Sequence, residues 1–313
     1  MRRYLYIVAM MLLAHSARAQ IYVLGVAQDG GYPHAGCIKK CCADAWASKD
    51  KRRYVTSLAY ADSASGKWWL LEATPDIAAQ LQYFSELTRG RYKYLPDGIF
   101  VTHAHIGHYT GLMQLGREVM NTRDMPVYVM PRMRQYLTDN GPWSQLVRLG
   151  NIKLVDIAQV MDSADMAGKK KAAYDLAPGV GVYAFRVPHR DEYSETVGLG
   201  VCTREKNYIF IPDIDKWEKW QTDIRNVATA ADVVLIDGTF YRDGELPGRS
   251  MSEVPHPFVQ ETIKLFTEGM PYRARGKVHF IHFNHTNPLL WDTAEQQKVM
   301  KAGFRLAEQG EKL

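Results

Sequence analysis

Hydrophobic and polar positions along this 313-residue chain fall into short apolar runs separated by polar turns rich in glycine and proline. "IYVLGVA" (21–27), "SLAYAD" (57–62) and "KWWLLEA" (67–73) predict three strands. "DIAAQLQYFSEL" (76–87) changes to helical spacing behind Thr74-Pro75, a start signal. "DGIFVTH" (97–103) predicts a short buried strand, "TGLMQLGREVM" (110–120) a helix and "PVYVM" (126–130) a strand. "PRMRQYLTDN" (131–140) predicts a helix with proline at its first position. The second half continues in the same style, with strands over 153–157, 180–187, 197–203, 207–212, 232–238 and 277–283 and helices over about 216–230, 257–268 and 292–309. Polar segment 162–178 predicts an exposed loop or hairpin between the halves. Strands dominate and helices are interspersed, a pattern that predicts two sheets packed face to face with helices outside.

The N-terminus changes this picture. "MRRYLYIVAMMLLAHSARAQ" has Arg2 and Arg3, an apolar stretch from Tyr4 to Ala14, and Ala17-Arg18-Ala19 before Gln20. That is the pattern of a secretory signal, with cleavage expected after Ala19, and the apolar stretch is too short to span a bilayer. Residues 1–19 carry three arginines and no acids, so their removal lowers the net charge from +5 to +2. The mature chain therefore gives little support for a nucleic-acid partner. No later run is apolar for long enough to cross a membrane, so no stable membrane insertion is expected. The expectation is an exported protein, periplasmic or secreted, acting on a small molecule, with its oligomeric state open.

Candidate chemistry gathers at "FVTHAHIGHYTGLMQL" (100–115), where His103, His105 and His108 fall within six positions between a strand and a helix. Neutral imidazole is the commonest zinc ligand, and catalytic sites take three protein ligands and leave one position open. His103 and His105 alternate in extended chain and point the same way, while His108 lies past the bend. One such histidine is usually structural; three in this place predict a metal site.

"THAHIGH" (102–108) resembles the His-x-His-x-Asp-His signature of the metallo-β-lactamase-fold hydrolases. "LLEATPD" (70–76) resembles the strand that precedes it. "GVAQDGGYPHAGC" (25–37), "LIDGTFYRDGE" (235–245) and "FIHFNHTNP" (280–288) resemble the pyrroloquinoline-quinone biosynthesis protein B group of that superfamily. The resemblance implies an α/β fold, an αββα sandwich of two mixed sheets face to face, formed as a single domain over 20–313 with a cysteine-rich loop at 34–42. It implies a first metal site of His103, His105 and His189, a bridging carboxylate at Asp213, and a second site with His108 and His282. His285 is a near neighbour that could replace His282, and His279, facing the other way, is structural. His256 in "SEVPHPF" resembles the histidine that assists leaving-group protonation in the ribonuclease Z branch; as a residue it reads equally as a loop histidine before a helix. Gly107 stands where the signature has its aspartate. Three outcomes follow: one ion alone, a second ion bound only with substrate, or a different acid taking the place.

Cys37, Cys41 and Cys42 with His34 suit a small structural zinc clip, as in related family members. A disulfide through Cys202 and free thiols are the alternatives, since adjacent Cys41 and Cys42 cannot readily bond each other. Together these point to an exported metal-dependent hydrolase with one or two zinc ions, iron or manganese being alternatives. Zinc-activated water would attack a phosphodiester or cyclic ester, with Asp213 and His256 as the catalytic residues. The rival readings are an iron-dependent oxygenase acting on a quinone precursor, and a non-catalytic metal- or ligand-binding protein that lost its carboxylate at Gly107.

Overall fold

A computed structural model describes residues 19–157, 174–246, 248, 250 and 254–313. Residues 1–18, most of the stretch expected to be a secretory signal, and most of the polar 162–178 stretch lie outside the described residues. Strands β1 (Ala19–Gly25), β2 (Ser57–Asp62), β3 (Lys67–Leu71), β4 (Ile99–Phe100), β5 (Met125–Val129) and β6 (Ile152–Asp156) form one sheet in chain order. β7 (Tyr174–Ala177), β8 (Val180–Arg186), β9 (Val197–Cys202), β10 (Asn207–Ile211), β11 (Val233–Asp237), β12 (Val278–Ile281) and β13 (Arg305–Leu306) form the second, also with sequential neighbours. Each sheet begins as an antiparallel meander and continues as parallel strands: β1 to β3 then β3 to β6 in one, β7 to β10 then β10 to β13 in the other.

Alternation along the strands builds the layers. In β2 and β3, Leu58, Tyr60, Trp69 and Leu71 join an interior cluster shared with Leu199, Ile209 and Ile211 of the opposite sheet. Their neighbours Ala59, Ala61, Trp68 and Leu70 point outward and are covered by Ile77, Leu81 and Phe84 of helix Ile77–Leu87. Both faces of these strands are buried, which is why they read as nearly unbroken apolar runs. The result is the αββα sandwich expected from the sequence.

Three predicted helices take a different form. In place of 110–120 there is a single turn, Ile106–Tyr109, followed by a 3-10 helix, Thr110–Leu115. Gly111 is drawn against the end of β3, its N–H donating to Ala73 O at 2.9 Å, and that close approach pins the segment down. The 216–230 helix splits into Trp217–Lys219 and Ile224–Ala230, because the Asp223 side chain caps a new start by accepting from Arg225 N. The last helix ends at Lys301; Gly303 turns the chain with φ +95° into β13. Helix Lys40–Ala47 begins inside the cysteine-rich stretch and was not expected as a helix. No helix among the described residues is long and apolar enough to cross a membrane.

β1, β3 and β4 run one way in their sheet, as do β8, β10, β11 and β12 in theirs. The C-terminal ends of all seven converge on one rim.

Candidate metal centre

Four side chains meet at that rim from distant parts of the chain. His103 and His105 follow β4, His189 follows β8, and Asp213 follows β10. Asp213 Oδ2 lies 3.3 Å from His103 Nε2, 3.3 Å from His189 Nε2 and 3.9 Å from His105 Nδ1. His105 Nδ1 is 2.9 Å from His103 Nε2 and 3.2 Å from His189 Nε2. Ligand atoms about 2.0–2.1 Å from a tetrahedral zinc ion stand roughly 3.3 Å apart, so these separations fit four donors around one ion. All four atoms lie within 4.8 Å of one another.

The far nitrogen of each ring is also engaged, which fixes its orientation. His103 Nδ1 is 2.9 Å from Thr102 Oγ1, His105 Nε2 is 3.0 Å from Glu192 Oε2, and His189 Nδ1 is 3.1 Å from Asp215 Oδ1. Asp215 is held in turn by Lys219 at 2.8 Å. Burial opposes a charge on His189, but Asp213 and Asp215 outweigh it and push the ring up to about 10. His103, fully enclosed beside His108, is held well below the ordinary imidazole range by burial and by that neighbour. One ring is thus neutral and the other charged around a carboxylate that stays ionised: burial works against Asp213, and His189 and His256 overcome it.

His108 and His282 form a second cluster beside the first. His108 Nε2 lies 3.7 Å from Asp213 Oδ2, so that oxygen faces both groups. His282 projects from the end of β12 in a left-handed conformation, φ +67°, with Nδ1 2.9 Å from Thr239 Oγ1. Glu72, fully buried at the end of β3 and also left-handed at φ +79°, places Oε1 3.6 Å from His108 Nδ1. Two non-glycine residues in this region at one rim are strain held in place by the surrounding fold. The third member is Asp29, whose Oδ1 lies 3.4 Å from His108 Nε2.

His256 stands next to both clusters. Its Nδ1 is 2.8 Å from Asp237 Oδ2 and 3.1 Å from Asp213 Oδ1, and these carboxylates raise it above the ordinary range against the opposing effect of burial. Asp237 is otherwise used up, accepting from Ile214 N at 3.1 Å and Thr239 N at 2.8 Å, so it serves to position His256. His279 is buried on β12 and pushed down to about 4 by burial and by Arg305, away from either cluster.

Cys37, Cys41 and Cys42 gather with His285, their ligand atoms within 4.8 Å of one another. Here the expectation of His34 is corrected: its ring stacks on His285 at 4.4 Å, and its Nδ1 turns to the Ala35 carbonyl oxygen at 2.9 Å. His285 therefore belongs to the thiols and not to the rim. None of the four cysteines is in a disulfide: Cys37 and Cys41 sulfurs are 3.7 Å apart, and Cys202 sits in β9, so the disulfide alternative is not formed.

Sequence reasoning did not select Asp29, Glu72, Glu192, Asp215 or Asp237, and it offered His285 as an alternative to His282 where the structure groups it with the thiols. Asp237 stood in a quoted motif, "LIDGTFYRDGE", and Asp215 lies two residues past Asp213; a search for acids at strand ends would have found both. Asp29 lay in "GVAQDGGYPHAGC" with no spacing signal to connect it to the histidines.

The sequence matches the Beta-lactamase superfamily domain over residues 67–283. Coenzyme PQQ synthesis protein B of Methylococcus capsulatus is 27% identical over 312 residues, covering 93% of this chain and 98% of that protein. Zn(2+)-bound PqqB from Methylobacterium extorquens superposes with a TM-score of 0.74 at 23% identity, covering 94% of this chain and 99% of that one. A diphosphatase of the PhnP family superposes with a TM-score of 0.63 at 19% identity, covering 94% and 96%. At these identities the structural likeness establishes the fold, and it agrees with the family resemblance read from the motifs.

Proposed function

We propose that this chain, which belongs to the β-lactamase superfamily, is a metal-dependent hydrolase of a phosphodiester or cyclic ester. The observation that carries this reading is Asp213 Oδ2, set 3.3 Å from His103 and His189 and 3.7 Å from His108. That is the place of a carboxylate shared between two ions. When bound, a divalent ion such as zinc lowers the pKa of its water toward ~7 and polarises the substrate oxygen. His103, His105, His189 and Asp213 would hold the first ion, and His108 and His282, with Asp213, the second. The donor set of imidazoles and one shared carboxylate suits zinc, with iron and manganese as alternatives.

The chain's own residues supply the rest. Both polar contacts of His256 run through Nδ1, so Nε2 is the nitrogen left to give a proton, and Asp237 and Asp213 favour the charged ring against burial. Thr102, Glu192 and Asp215 keep the ligand rings aimed at the shared point. Arg190, next to His189, pairs with Glu192 at 3.8 Å and so helps hold the carboxylate that orients His105. Ile106, after the ligand His105, and Tyr193, after Glu192, are both about 60% exposed and offer apolar contact to a substrate substituent. Cys37, Cys41, Cys42 and His285 complete the reading as a structural metal site. Export rests on the N-terminal pattern alone.

A second reading rests on the similarity to coenzyme PQQ synthesis protein B across 93% of the chain. It makes the site an iron-dependent oxygenase acting on a quinone precursor. Metal analysis of the purified protein, paired with anaerobic assays on bis(p-nitrophenyl) phosphate, a lactone and a β-lactam, separates the two. Zinc or manganese with anaerobic phosphodiester cleavage supports the hydrolase. Iron with substrate-dependent oxygen uptake and no cleavage overturns it.

A further inference from the structure

Gly107 lies in the single helical turn Ile106–Tyr109, buried between His105 and His108. Its φ is outside the left-handed region, so the backbone does not require glycine there. Space does. A Cβ built on Gly107 falls 2.7 Å from Asp29 Cα and 2.9 Å from Asp29 Cγ, and closer still to Oδ1. Real side chains do not pack so closely, so any residue larger than glycine at 107 must displace Asp29.

Asp29 reaches this place through the chain that leaves β1. Ala27 pairs with both Val55 and Phe283, Gln28 N donates to Phe283 O at 2.8 Å, and Phe283 N donates to Val26 O at 2.8 Å. These bonds fix the 26–29 segment beside His282, the residue before Phe283. Asp29 Oδ1 is then 3.4 Å from His108 Nε2 and 4.0 Å from His282 Nε2. All three atoms are buried and make no hydrogen bond among the described residues. Buried polar atoms without partners are costly, and three aimed at one point call for a shared occupant. The gaps are long for hydrogen bonds and short enough to span one ion. Asp237, the other acid near His282, has its oxygens committed to Ile214, Thr239 and His256.

We propose that Asp29 and Gly107 are a relocated pair, in which residue 29 supplies the second-site carboxylate that the family signature carries at 107. The second ion is held by Asp29, His108, His282 and the shared Asp213. This rests on the metal-centre reading above. It also removes the premise of a non-catalytic protein, because the acid missing from 107 stands a few ångströms away on another loop.

The test is metal binding, read apart from turnover. Chelator-stripped protein is titrated with Co(II), followed by its visible absorption, and with Zn(II), followed calorimetrically. Wild type is expected to take up two equivalents at the rim, with the cysteine site counted separately. Asp29→Asn is expected to weaken the second equivalent on the order of 100-fold and leave the first unchanged; the intact first site shows that the variant is folded. Gly107→Asp alone is expected to lose the second equivalent, since the two carboxylates collide. The double variant Asp29→Gly with Gly107→Asp is expected to recover it to within about tenfold. Wild type with a single rim equivalent, or Asp29→Asn with two at wild-type affinity, overturns the inference. Two equivalents without phosphodiester cleavage leave the Asp29 assignment standing and sink the hydrolase. No rim metal at all sinks both.

Discussion

In the proposed reading two imidazoles a few ångströms apart, His189 and His256, carry opposite tasks, and their surroundings explain why. His189 lies between Asp213 and Asp215, whereas His256 has Asp237 behind Nδ1 and its Nε2 left to act. A group that protonates a leaving oxygen matters most when that oxygen is a poor leaving group. His256→Gln is therefore expected to lower kcat about 100-fold on an alkyl phosphodiester and much less on a p-nitrophenyl ester, with metal content unchanged. Equal losses on both substrates would reduce His256 to a packing residue. At this scale the sequence was informative about histidines and poor about acids. His103, His105 and His108 announce themselves by crowding within six positions. Asp29 is a single carboxylate among glycines, 78 positions from the gap it fills, and only folding brings the two together.

Elements were legible where burial on both faces turned strands into apolar runs, as in β2, β3, β10 and β11, all of whose residues are buried apart from Lys67 and Asn207. They were less legible where tertiary contact overrode local preference, as at 110–120, where Gly111 is pulled onto Ala73. Glycines within β9 show the same override. Gly198 faces the ring of Phe185, and a Cβ there would meet Cε2 and Cζ at 2.5 Å. The aromatic rings of β8 occupy the volume that side chains of β9 would need. Gly198→Ala is expected to cost about 1–3 kcal/mol by overpacking, measured as a lower denaturant midpoint at unchanged slope. A midpoint equal to wild type would show that Phe185 can swing aside freely.

For the whole molecule, the rim joins the two sheets: Asp29, His103, His105 and His108 come from the first, His189, Asp213 and His282 from the second. An ion held there ties one to the other, and protons compete with it. In the metal-free chain His189 is pushed up to about 10 from an ordinary value of 6.5, with burial overcome by Asp213 and Asp215. Its folded value exceeds its unfolded one, so the charged ring stabilises the metal-free fold below 6.5 and that contribution is lost as pH rises through about 10. A metal needs the neutral ring, so its affinity should rise over the same range. The metal-free melting temperature is expected to fall between about pH 6.5 and 9, while the increase produced by zinc grows. An increase independent of pH would remove His189 from the ligand set. The sheet architecture was readable in advance because it follows from local periodicity, but the joining of the halves depends on contacts between residues far apart in sequence.

The loop after β12 carries one further consequence. His282 points into the rim and His285 into the thiols, with three peptide steps between them, at most about 10 Å of chain. The segment carrying Asp29 runs on into Cys37 in the same way. Oxidants or electrophiles that attack the thiols would therefore pull on the two residues at the heart of the second cluster. A patch proposed to hold shape would thus give chemical injury a short route to the second cluster.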